Sequence, residues 1–259
     1  MKVKDIVAAV EEFAPASIQA EHDNTGLQVG SPEQEVHGVL IGFDCTVALV
    51  EEAVRRGCDM IITHHPLLYH ALNHLWPEDP ACAPVIAAVK NGVAVYSSHT
   101  SADKTSGGVS FVLAEKLGLR NVRVLAPEVS GYGFGAVGEL PEALPAAEAV
   151  KAVKKALGTP AVRTSALIDT PVSTIAVCGG SGTSLIPAAL KAGAQMYVCG
   201  DISYHYFFVP EGFMLVDAGH FETEVEITEI LLSVIRKKFP NFVSLISENI
   251  GTANPVNYL

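Results

Sequence analysis

The sequence predicts an α/β protein of two similar lobes related by internal duplication, each a mixed sheet flanked by helices. Three observations predict it. Short apolar runs alternate with segments of helical periodicity, the pattern of βαβ units. One stretch of the first half matches a stretch of the second without a gap. The 259 residues, 49% of them apolar and 17% charged, suffice for one large domain or two of roughly 130 residues.

The elements follow in order. MKVKDIVAAVEEF at the start reads as an amphipathic helix. Glu11 and Glu12, and the lack of a long apolar core, argue against a secretory leader. Residues 38–43 form an apolar run, and residues 42–60, GFDCTVALVEEAVRRGCDM, align with residues 178–196, CGGSGTSLIPAALKAGAQM, at an offset of 136. Leu49 matches Leu185, Val50 Ile186, Ala53 Ala189, Val54 Leu190, Arg55 Lys191, Gly57 Gly193 and Met60 Met196. Each copy reads as a strand (38–43; 173–178), a turn, a helix closed by Gly57 or Gly193, and a second strand (60–62; 196–198). Such βαβ units favour parallel pairing with a right-handed crossover. A helix over 84–90 and a strand over 93–97 continue the first copy, and a strand over 213–216 continues the second. Between them lie expected strands at 131–140 and 172–177 and a helix over 143–156 with Pro145 early in it. Residues 223–239 read as one amphipathic helix. The expected lobes are 1–126 and 127–259, joined around residues 126–133.

Composition narrows the function. The net charge is −11, and a strongly acidic chain repels nucleic acid and anionic membranes at long range. Lys154-Lys155 and Arg236-Lys237-Lys238 are short and read as solvated faces. No nucleic-acid partner and no membrane partner is expected. No run of 18 uncharged apolar residues exists, so no membrane span is expected. The five cysteines lack C-x-x-C spacing and read as buried, reduced thiols, which points to the cytoplasm.

In open α/β sheets function gathers at the carboxyl ends of the strands. Thr63, His64, His65 and Pro66 follow the run at 60–62, and Ser97 to Asp103, with His99 among them, follow the run at 93–96. Cys199, Gly200, Asp201 and then His205 follow 196–198. Asp217, Ala218, Gly219, His220 and then Glu224 follow 214–216. Four strand ends thus deliver imidazole or carboxylate, the ligand set of divalent Zn, Fe, Mn, Ni or Co. An isolated histidine is more often a satisfied residue than a ligand, but the joint pattern favours a metal site in the cleft between the lobes. In extended backbone His64 and His65 would leave on opposite sides and serve two neighbouring ions. His220 and Glu224 share a face of a first helical turn. Asp44 and Asp217 read equally as helix caps or as acceptors for a ligand. Gly180, Ser181 and Gly182, expected before a helix, are candidates for an anionic substrate group, with Asp201 and His205 as further substrate contacts. His99, Asp103 and Glu224 are the candidate proton shuttles.

At these motifs the chain resembles the GTP cyclohydrolase I type 2 homologues, or NGG-interacting-factor-three-like proteins. The matching stretches are EHDNTGLQVG (21–30), THHPLLY (63–69), SSHTSADKTSGGVSFVLAEKLGL (97–119), CGGSGTSLI (178–186), CGDISYH (199–205) and DAGHFETE (217–224). The resemblance implies a dinuclear centre, two divalent ions per subunit, with ligands at His64, His65, Asp103, His220 and Glu224. It also implies a toroidal homohexamer, and the length matches the compact form without an inserted middle domain. His22 and Ser101-Ala102 stand where the family often has an aromatic and an asparagine-leucine pair.

Three functions use such ligands: a metal-dependent, cyclohydrolase-like hydrolase acting on a small nucleotide- or phosphate-like substrate, a metal-handling or cofactor-assembly protein without turnover, and a scaffold stabilised by metal. The first is the leading expectation.

Overall fold

A computed structural model describes residues 1–129 and 131–259; Ser130, in the expected junction, lies outside the described residues. In chain order the elements are α1 (Val3–Phe13), β1 (Gly26–Val29), β2 (Gly38–Ile41), α2 (Val47–Arg55), β3 (Met60–Thr63), α3 (Ala83–Asn91), β4 (Ala94–Ser97), α4 (Thr100–Lys104), α5 (Val109–Lys116), β5 (Arg120–Val129), β6 (Tyr132–Leu144), α6 (Ala146–Leu157), β7 (Arg163–Thr164), β8 (Val172–Ser181), α7 (Ile186–Lys191), β9 (Met196–Gly200), β10 (Met214–Asp217), α8 (His220–Glu224), α9 (Ile227–Lys238) and β11 (Val243–Ile246). The fold is mixed α/β with two mixed sheets flanked by helices.

The chain divides into two compact units, Met1–Ala102 with Ile227–Pro255, and Asp103–Glu226 with Val256–Leu259. This is not the contiguous division expected at 126/127. β5 pairs with β6, Val124 opposite Ala136, and so joins the second unit's sheet, while β11 pairs in parallel with β2, Val243 opposite Gly38, and returns the C-terminal segment to the first. Strand pairing, a long-range property, overrides the sequence midpoint.

The first unit holds the sheet β1-β4-β3-β2-β11, in which β1 is antiparallel to β4 and the other pairings are parallel. Strands β2, β3 and β4 are buried throughout, the signature of a sheet covered on both faces. Leu40, Ile61 and Val95 pack there against Leu49, Val50 and Ala53 of α2 and Ala88 of α3. The Thr46 hydroxyl caps α2 by accepting from the Leu49 amide at 3.2 Å.

The second unit holds the sheet β5-β6-β8-β9-β10-β7. Its central strands alternate strictly. Ile175, Val177, Met196, Val198, Met214 and Val216 face a core shared with Val153 and Leu157 of α6, while Ala176, Tyr197 and Leu215 face the opposite core with Ile202 and Phe213.

The repeat survives in the register. Val39 pairs with Met60 and Ile41 with Ile62; Ile175 pairs with Met196 and Val177 with Val198, each pair displaced by the same 136 residues. A five-residue helix follows the third strand of each copy: α4 after β4 and α8 after β10.

Two helix boundaries differ from expectation. Pro145 is the N-cap of α6, and β6 runs up to it through Leu144, so the helix does not begin at 143. The helix expected over 223–239 is two, α8 and α9, because its first turn packs on β8 in the second unit and the rest packs on α1 and β11 in the first.

Candidate metal centre

In the first unit the backbone bends directly after β3. The amides of His64 and His65 both donate to the Phe43 carbonyl, at 3.2 and 3.3 Å, and the Thr63 and Ser97 hydroxyls donate to the His65 carbonyl at 2.8 and 3.1 Å. The backbone at His64-His65 is therefore bent rather than extended, and the two rings do not diverge: their centroids lie 5.0 Å apart. His99, two residues beyond β4, completes a triangle, 5.4 Å from His64 and 5.5 Å from His65. One ring nitrogen of each lies within 4.8 Å of the others.

Each ring is oriented through Nδ1. His64 Nδ1 donates to the Ser98 carbonyl at 2.9 Å, His65 Nδ1 to Asp44 Oδ1 at 2.7 Å and His99 Nδ1 to Asp23 Oδ1 at 2.7 Å. A carbonyl or carboxylate only accepts, so the proton sits on Nδ1 and Nε2 keeps its lone pair, the form a cation needs. Asp44 thus supports His65 rather than capping α2, whose cap is Thr46. Asp23, whose side chain is 2% exposed, also receives the Thr25 and Thr100 hydroxyls and the Thr100 amide. Burial pushes its pKa up, but the hydrogen bonds from His99 and Thr100 outweigh this and hold the carboxyl well below the usual range. A groove of about 800 Å³ runs along Asp23, Asn24, Leu68, Tyr69, His70 and Leu75, and the Tyr69 ring stands 6.0 Å from that of His99.

The second unit gathers carboxylates. His220 opens α8 and Glu224 follows one turn later, so the expected shared face is present, with His220 Nε2 3.0 Å from Glu224 Oε2. His220 Nδ1 donates to Asp201 Oδ2 at 2.7 Å. Asp103 brings a carboxylate oxygen within 4.8 Å of one from Glu224. With Nδ1–H given to Asp201, the Nε2 lone pair faces a carboxylate at close range. A proton or a cation reconciles the two, and neutral imidazole with two carboxylates suits a divalent ion.

Glycines make the room. A Cβ at Gly180, where φ is +57°, would stand 2.2 Å from Glu224 Oε1 and 3.0 Å from His220 Cε1, and one at Gly179 would stand 2.9 Å from Glu224 Cγ. The Gly180 amide donates to the Thr223 hydroxyl at 3.0 Å. Gly180 and Ser181 end β8, while Gly182 caps the 3-10 turn Thr183–Leu185 that leads into α7, as expected, and its carbonyl accepts the Tyr197 hydroxyl at 2.7 Å. Gly180 seats the Glu224 carboxylate. Asp201, expected to contact substrate, orients His220, and His205 stands on the exposed turn Tyr204–Phe207. Asp217 accepts the Ile202 and Gly219 amides and pairs with Arg163, an internal brace.

Burial holds the thiols of Cys45 and Cys199 up near pKa 12, and burial together with Asp103 pushes that of Cys178 far up, so none is a thiolate nucleophile at neutral pH. The orienting roles of Asp23 and Asp201 escaped the sequence reading. Asp23 lies 76 residues from His99 and Asp201 lies 19 from His220, distances with no periodic signal.

The chain is 32% identical over 258 residues to a GTP cyclohydrolase 1 type 2 homolog of Clostridium acetobutylicum, covering 96% of each. It is 35% identical over 226 residues to the namesake from Lactococcus lactis, covering 85% of this chain and 86% of that one. Among solved structures, a Bacillus cereus protein related to NIF3 superposes with a TM-score of 0.93 at 22% identity, over 100% of this chain and 99% of that one. Reduced HcgD from Methanocaldococcus jannaschii does so with a TM-score of 0.80 at 27% identity, over 96% and 98%. No helix among the described residues is long and apolar enough to cross a membrane. The model of the Duf34/NIF3 (NGG1p interacting factor 3) family matches residues 1–252, and the chain belongs to that family.

Proposed function

We propose that this protein binds two divalent metal ions through His64, His65, Asp103, His220 and Glu224 and uses them to hydrolyse a small, ring-bearing substrate of nucleotide-like chemistry. The observation that carries the reading is the orientation of the imidazoles. His64, His65 and His220 each give Nδ1–H to a fixed acceptor and so keep Nε2 for a cation, while Asp103 and Glu224 supply the negative charge. Glu224, with one oxygen 3.0 Å from His220 Nε2 and its carboxylate near Asp103, would hold a divalent ion together with them.

Bound divalent ions polarise a substrate oxygen and bring the pKa of water down to about 7. His99, held by Asp23 and 6.0 Å from Tyr69 between ring centroids, is the side chain suited to carry a proton for a substrate in the groove; Asp103 and Glu224 are the other candidates. Tyr69 and His70 offer ring surfaces for stacking. The exposed rings of Tyr204, Tyr206 and Phe208 offer apolar surface for self-association, in keeping with the homohexamer that the family resemblance implies.

Elemental analysis of the purified protein tests the centre. The expected result is about two ions per chain, falling below one in His64→Ala and in Glu224→Ala; unchanged stoichiometry in both would refute the ligand set. Asp44→Ala and Asp201→Ala, which remove an orienting acceptor and no ligand, should weaken affinity by about 10- to 100-fold, as read by competition with a chelator. Turnover of nucleotides or phosphoesters by the metal-loaded protein tests the hydrolase reading. Stoichiometric metal without turnover of any such compound would overturn it in favour of a metal-handling role.

A further inference from the structure

The first unit contains another group of ligand side chains, in the segment between the bend after β3 and helix α3. His74, Asp79 and Cys82 place one donor atom each within 4.8 Å of one another. The three donor types are the ones zinc takes: imidazole nitrogen, carboxylate oxygen and thiolate sulfur. The adjacent pair is close already, with His74 Nε2 2.9 Å from Asp79 Oδ2, and Cys82 Sγ reaches the His74 carbonyl at 3.3 Å.

The loop is built to present them. Asp79 Oδ1 accepts the Ala81 amide at 2.9 Å, which fixes the carboxylate and turns Oδ2 to His74. The Asp79 carbonyl accepts the amides of Cys82 and Ala83, at 3.0 and 2.9 Å, and ties the carboxylate to the first turn of α3. Cys82 is the N-cap residue of that helix and is fully buried. The His74 ring stacks on Trp76 with centroids 4.1 Å apart. Asp79 is thus held by the Ala81 amide and Cys82 by its place at the start of α3, while the His74 side chain is partly exposed.

We propose that His74, Asp79 and Cys82 form a separate site for one thiophilic divalent ion, zinc by preference, outside the five-ligand set. Tetrahedral zinc needs its donors about 3.4–3.6 Å apart, so the His74–Asp79 pair opens by about half an ångström. On binding, the imidazole proton moves from Nε2 to Nδ1 and the Cys82 thiol proton leaves to solvent, so one proton is released per ion. Carboxylate, thiolate and divalent cation sum to no net charge, which suits a site with a buried sulfur. The fourth position falls to solvent or an exogenous donor. The ion would pin residues 74–82 to the start of α3.

Cobalt titration of the full chain tests this. The proposed dinuclear set has no cysteine, so a near-ultraviolet thiolate-to-cobalt charge-transfer band reports this site alone. The expected result is a band that saturates near one equivalent, persists in Glu224→Ala and vanishes in Cys82→Ser. His74→Ala and Asp79→Asn change partly exposed side chains and keep the thiol. Each should raise the cobalt Kd by more than about 100-fold, beyond what loss of an orienting partner costs. No band in the wild-type chain, or an undiminished band in Cys82→Ser, would overturn the proposal.

Discussion

Gly180→Ala is expected to lower metal affinity by more than about 100-fold, equivalent to roughly 2.7 kcal/mol or more. The added methyl meets Glu224 Oε1 at 2.2 Å and His220 Cε1 at 3.0 Å. Neither has room to yield within its present rotamer, because Asp201 holds His220 and the Glu224 side chain is buried. The carboxylate must leave its position. Backbone strain adds to this, since φ is +57° and alanine in the left-handed region costs about 1 kcal/mol. Gly193→Ala separates the two contributions. Gly193 has a comparable φ of +75°, but nothing lies within 4 Å of its would-be Cβ. It should lose about 1 kcal/mol of stability and no metal affinity. Calorimetric titration of both variants measures the contrast. Equal affinities would show that the glycine serves the backbone alone.

The largest expected loss of stability away from the centre comes from Glu52→Ala. Glu52 lies on α2 with its side chain 1% exposed. Its Oε1 accepts Arg56 Nη1 at 2.7 Å and the Glu248 amide at 2.8 Å, and Oε2 accepts the Ser247 hydroxyl at 2.6 Å. Arg56 in turn donates to the Ile246 carbonyl at 2.9 Å. One carboxylate therefore fastens α2 to the segment that follows β11. Its removal leaves a partly buried guanidinium and two donors without their acceptor, a loss of about 3 kcal/mol. For a chain of this size that is roughly 6–12 °C in Tm.

The same group gives a pH signature. Burial pushes the Glu52 pKa up, but the bonds from Ser247, Glu248 and Arg56 outweigh it and hold it below the ordinary 4.5. A folded-state pKa lower than the unfolded one contributes stability above the unfolded value and loses it as pH falls through the folded value. The stability gap between wild type and Glu52→Gln should therefore be full at pH 7 and shrink below about pH 4.5, where the wild type takes up the proton that makes it resemble the amide. Denaturant unfolding at pH 7 and at acid pH would show it, and a gap independent of pH would refute the charge argument.

The βαβ repeat was legible because its cause is local. Apolar runs must be buried, Gly57 and Gly193 both close helices at positive φ, and the offset of 136 residues reappears as the same strand register in both sheets. His220 and Glu224 were legible as a pair for the same reason, since helical geometry alone puts them on one face. The edge strands β1, β7 and β11 were not legible. They are two to four residues long and owe their conformation to the neighbour they pair with.

The sequence by itself determined which chemical groups stand at the strand ends: imidazoles after β3 and β4, and an imidazole with carboxylates after β10. Only the tertiary structure decided how they are held. Asp44, Asp23 and Asp201 reach their histidines through strand pairing, and the bend after β3 turns His64 and His65 to one side. Gly180 gives up a side chain to seat Glu224. Residue types and local periodicity follow from neighbours a few positions apart, whereas a hydrogen bond across 76 residues exists only once the sheet has formed.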